Sequence, residues 1–141
     1  MDDFEWLDHT ADIGIRVCGK NAVELLSKAA TGMFAVMASP LDDHSPFQDP
    51  PQLYSLDIQS SDANALMLDW LNELLSLSDV HRVIFTEFKF KELKPNSLKA
   101  DVRGVSRSQF TMERDIKAVT AHGLAVREVG KLLVVEIIFD V

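Results

Sequence analysis

Two acidic groups stand near opposite ends of the chain. Asp8, His9 and Asp12 fall within DHTADIG, just ahead of an alternating apolar run, and Asp140 precedes Val141 in the closing IIFDV. Carboxylates of this kind could hold a divalent cation. Oxygen donors alone favour Ca²⁺ or Mg²⁺, and His9 opens the set to Zn²⁺ or Mn²⁺. The plain alternative for the first group is an Asx turn, in which Asp8 or Asp12 accepts from backbone N–H groups. Spacing alone favours that turn. Asp140 beside a terminal carboxylate on Val141 is a dense negative charge, which either solvent screens or a cation neutralises.

The other polar candidates carry less chemistry. Lys117 and His122 in IKAVTAH would face opposite sides of a strand and could not act as an acid–base pair. Asp42, Asp43 and His44 lie in the proline-rich PLDDHSPFQDPP, where solvated charge is the simplest reading. Glu73 in DWLNELL lies opposite a leucine stripe. No serine or cysteine stands in an activating motif, and no Gly-rich turn offers a phosphate cradle.

The whole chain narrows the choice. Its 141 residues suffice for one domain with a single substantial core, and 47% hydrophobic with 26% charged residues is a globular composition. No apolar run approaches the roughly 20 residues of a membrane helix. The acidic start argues against a targeting peptide, and Cys18, the single cysteine, has no disulfide partner, so a cytosolic or nuclear location fits, with cytoplasmic the expectation. The net charge is −8, and the basic stretches FKFKELK and VRGVSRSQFTMER are interspersed with acids. Direct nucleic-acid binding is therefore disfavoured, while a hard cation or a basic protein surface suits the charge.

These side chains need a scaffold. DIGIRVC alternates Ile13, Ile15 and Val17 against polar or small residues, as a half-buried strand does. Asn21 and Glu24 resemble a capping box ahead of a helix with Val23, Leu26, Ala30, Phe34 and Met37 on one stripe. LYSLDIQS predicts a strand. Asp62 caps a second helix carrying Leu66, Trp70, Leu74 and Leu77. KPNS predicts a hairpin turn between two strands, SRSQFTMERD a loop, and REVGK a second hairpin. The closing strand is apolar on both faces and should be central. The expectation is a single α+β domain over 1–141: two helices packed on a mostly antiparallel sheet of about seven strands.

In this order, DHTADIGIRVCG, ELLSKAATGMF, LMLDWLNELLSL, IKAVTAHGLAV and IIFDV resemble the archease family across nearly the whole chain. The resemblance implies a small α/β protein with an inserted strand–helix–strand–strand module. It implies an accessory factor, not a ligase, that activates the GTP-dependent RNA ligase of tRNA splicing. Such factors promote guanylylation of the ligase and its multiple turnover, and meet RNA only through it. The family's metal site maps onto Asp12, Asp140 and Val141, with calcium as the expected ion. Glu73 and Lys117 match positions associated with activity, and His9 is a further candidate. One departure is Ala121, where the family usually has tyrosine before the histidine.

Two rival readings stand beside this one. A metal-dependent hydrolase would use Asp8, His9, Asp12 and Asp140, although no general base is recognisable near them. A metal-free adaptor would bind a partner through loops 40–52 and 106–116.

Overall fold

The computed structural model describes residues 4–7, 12–41 and 50–141. Both helices begin where the sequence supplies a side-chain cap for orphan N–H groups. Asn21 Oδ1 accepts from the Glu24 N–H at 2.9 Å and opens α1 (Ala22–Met37). Asp62 Oδ1 accepts from the Ala65 N–H at 2.8 Å and opens α2 (Ala63–His81). α2 stops at Arg82, whose φ of 57° is left-handed, a conformation that ends helices.

The strands are β1 (Glu5–Leu7), β2 (Ile13–Gly19), β3 (Ala38–Pro40), β4 (Gln52–Gln59), β5 (Val83–Lys94), β6 (Ser97–Ser106), β7 (Phe110–Met112), β8 (Ala118–Thr120), β9 (Arg127–Val129) and β10 (Leu132–Asp140). They form three sheets with every pairing antiparallel. The largest runs β1-β2-β10-β8, with β9 also on β10; the second runs β4-β6-β5; β3 and β7 make a two-stranded pair. β10 is central, as its two apolar faces predict, because it is paired along both edges.

The α+β class holds, and β4, α2, β5 and β6 form the strand–helix–strand–strand insertion. The β3–β7 pair ties its two ends together. Among the described residues ten strands replace the expected seven or so because five of them have only three residues, too few for alternation to register. The segment expected to be a loop over SRSQFTMERD instead holds a 3-10 turn, Arg107–Gln109, and then β7. Lys117 and His122 both lie outside the short β8, so the strand argument about their faces does not apply.

The core explains why one stripe described α1 too narrowly. Gly32 and Phe34 are about 200° apart around the helix. A Cβ on Gly32 would meet Ile15 of β2, whereas Phe34 packs edge-on against Phe85 of β5, ring centroids 5.8 Å apart. α1 therefore lies between the two larger sheets. Leu25, Ala29, Met33 and Val36 are buried along with the predicted positions, while Val23 is 45% exposed. Trp70 of α2 is fully buried; its Nε1–H donates to the Leu26 carbonyl at 2.9 Å, and its ring meets Phe88 and Phe90. A Cβ on Gly19 would stand 2.7 Å from the Leu25 nitrogen, so only glycine lets β2 reach the start of α1.

Candidate functional site at the end of the central strands

β2 and β10 pair from Leu133↔Gly19 to Phe139↔Ile13. Asp12 comes just before the last pair in β2 and Asp140 just after it in β10. The first and last segments of the chain thus bring two carboxylates to one sheet end. Like charges so placed repel, and among the described residues neither has an ion-pair or hydrogen-bond partner.

Arg16, four residues beyond Asp12, is already engaged. Arg16 lies opposite both Glu5 and Glu136 in register, and its guanidinium meets them at 3.2 and 2.7 Å. Its pKa is raised, first by the hydrogen bond from its guanidinium to Glu136. Hard oxygen donors with no protein counter-charge fit a calcium- or magnesium-like ion. No group of three or more His, Cys, Asp or Glu side chains converges among the described residues. A third ligand would have to come from Val141, from solvent or from outside them.

Lys117 reaches the same end through its backbone, its N–H donating to the Asp140 carbonyl at 2.8 Å. Its side chain is exposed. Asp8 and His9, and likewise Asp42, Asp43 and His44, lie outside the described residues.

The sequence did not single out Asn72. Its side-chain amide donates to the Val119 carbonyl at 3.1 Å and accepts from the Val119 N–H at 2.9 Å. It thereby pairs with the outer edge of β8 as a neighbouring strand would, and holds the strand that carries Asp140's partner, Ala118. A polar residue beside the apolar stripe of α2 was the available signal. Arg114 was also missed. Its Nη1 donates to the Val36 carbonyl at 3.1 Å and its N–H to that of Met37 at 3.2 Å, while its guanidinium lies 5.4 Å from the Trp6 ring centre. It supplies the cation that the last turn of α1 lacks.

Glu73 occupies a different place. It lines an open cleft of about 680 Å³ between β4 and α2, with Asp57, Asp69, Asn72 and Leu77. At Ala121 there is a smaller hollow of about 250 Å³, shared with Leu68 and Leu124, where the resemblance expected a tyrosine.

Two helices on antiparallel sheets with an inserted strand–helix–strand–strand unit define a small α+β protein. Residues 4–141 match the model of the archease protein family, and the chain belongs to that family. It is 30% identical to the protein archease of Methanosarcina barkeri over 144 aligned positions, covering 98% of this chain and 95% of that one. The protein archease of Methanothermobacter thermautotrophicus is also 30% identical, with 99% of each covered. The solution structure of Methanobacterium thermoautotrophicum protein 1598 superposes with a TM-score of 0.76, at 30% identity over 100% of both chains. The crystal structure of an "archease, possible chaperone" from Thermotoga maritima shares the fold, with a TM-score of 0.66 at 20% identity over 96% of this chain and 94% of that one. Among the described residues no helix is long and apolar enough to cross a membrane.

Proposed function

We propose that this archease activates a GTP-dependent RNA ligase of tRNA splicing in the cytoplasm, promoting its guanylylation and multiple turnover, and is not itself the catalyst. The observation that supports the reading is the β2–β10 register, which leaves Asp12 and Asp140 at the same end of the two strands. With an oxygen of Val141, these carboxylates would hold calcium. The ion would neutralise the pair and brace β2 against β10.

The protein's own contribution is positional. β2 and β10 lead to the two aspartates, Asn72 and the Lys117 backbone fix the adjoining β8, and the acidic tip would approach a partner's active site. A nucleophile would then belong to the ligase, and RNA would be met only through it. The net charge of −8 supports that indirect contact. A chaperone-like role is compatible with holding a partner in its competent form, and the Thermotoga maritima archease is described as a possible chaperone.

The test is RNA ligation under multiple turnover with the cognate ligase. Wild-type protein should raise the number of turnovers, and Asp12→Ala or Asp140→Ala should abolish that gain while the fold persists by circular dichroism. Full stimulation by both variants would end the proposal.

A further inference from the structure

Sheet edges are where a chain can be extended by another chain, and most edges here are closed to that. β1, β8 and β9 have three residues each, and β8 is also occupied by Asn72. β5 carries Lys89, Lys91 and Lys94 and breaks its register twice, between Phe85 and Glu87 and between Phe90 and Glu92. β4 differs from all of them. Its eight residues pair with β6 without a register shift, and it contains neither lysine nor proline. Its other edge has no strand partner among the described residues.

That open edge borders the 680 Å³ cleft. Six consecutive residues of β4, 54–59, line it. Alternate side chains point to opposite faces, so consecutive lining means that the backbone edge itself is presented. The charge is one-sided: Asp57, Asp69 and Glu73 line the cleft and, among the described residues, no lysine, arginine or histidine does. Asp69 accepts from Ser60 Oγ at 2.6 Å, while Glu73 has no partner among the described residues.

The geometry points to β4 as a docking edge for an extended, lysine- or arginine-bearing segment of a partner protein, added as a fourth strand beside α2. Main-chain hydrogen bonds would supply the affinity, and Asp57 and Glu73 would select basic side chains on either face of the added strand. This surface is separate from the Asp12–Asp140 pair, so it needs neither calcium nor the ligase assay.

The test uses an acetylated, amidated eight-residue peptide of alternating lysine and valine, titrated into the full chain and followed by backbone amide exchange. Alternate amides within Gln52–Gln59 should become protected. The same peptide methylated at every backbone nitrogen, equal in charge, should not bind. Asp57→Asn with Glu73→Gln should weaken binding about five- to tenfold without moving the melting temperature. Equal binding of the methylated peptide would reduce the cleft to a charged surface and overturn the inference. Unchanged exchange across β4 at saturating peptide would overturn it as well.

Discussion

Asn72 and Val119 are joined by two hydrogen bonds, 2.9 and 3.1 Å, between one side-chain amide and one residue's backbone. Removing the amide strands both backbone groups at a half-buried edge. Asn72→Ala should cost about 2 kcal/mol, measured by urea denaturation. Asn72→Asp should cost nearly as much, because it keeps the acceptor but sets a carboxylate against the Val119 carbonyl. An aspartate variant as stable as wild type would show that the clamp does not hold β8.

Gly19 should tolerate no side chain. The atoms a Cβ would strike are the Leu25 backbone nitrogen and Cα, which cannot rotate aside. Gly19→Ala is expected to destabilise by about 1–3 kcal/mol as β2 and α1 are forced apart. A melting temperature unchanged from wild type would contradict this.

Arg114 should matter through the end of α1. Arg114→Ala removes its contact with the Val36 carbonyl and leaves Trp6 without its cation, at an expected cost of about 1 kcal/mol. Trp6 is 49% exposed while Trp70 is fully buried, so a fluorescence change confined to quenchable tryptophan would report the loss.

The acid limb of stability should contain a contribution from Asp101. The Ser55 hydroxyl at 2.8 Å and then Lys91 at 3.1 Å hold its carboxyl below the usual aspartate value. A pKa depressed in the folded state contributes stability above the unfolded value of about 3.9, lost as pH falls through the folded value. Asp101→Asn should therefore be less stable than wild type at neutral pH, with the gap closing below about pH 4. A gap that is constant from pH 7 to pH 2 would exclude this origin.

Calcium should raise the melting temperature, and a chelator should reverse the gain. At calcium one hundred times its dissociation constant the added stability would be about 2.7 kcal/mol. Asp12→Asn and Asp140→Asn should each remove most of it. Parallel titrations with Mg²⁺ and Zn²⁺, and with His9→Ala, separate an oxygen-only site from one that includes the imidazole. No shift with any of the three ions would leave the aspartates as solvated charge.

How much of this could be read beforehand differs by element. Caps are local chemistry, so Asn21 and Asp62 marked both helix starts directly. Long strands with an apolar face were equally visible, and the two apolar faces of β10 announced its central place. β7 was not visible, and of the strand expected over IKAVTAHGLAV only Ala118–Thr120 forms, because a three-residue strand is defined by its partner and not by its own pattern. The exposed Val23 has the same cause: a helix between two sheets buries nearly all its faces, and which residues remain outside depends on both. At the site, Asp12 and Asp140 were identifiable as residue types, but their meeting depends on the β2–β10 register. Asn72 acts on a backbone 47 residues away, which leaves no trace in local sequence.

The β3–β7 pair has a kinetic consequence. β2 must find β10 across a separation of 120 residues at the Arg16–Glu136 contact, a slow search for a free chain. The β5–β6 hairpin closes through the two residues Pro95 and Asn96, and β4 then adds to it. Once β3 meets β7, the whole insertion drops out of the remaining loop. The chain's two distant ends are then joined by little more than α1 and the short run from β7 to β10. The stitch that delimits the insertion is thus also the shortcut by which the acidic pair is assembled.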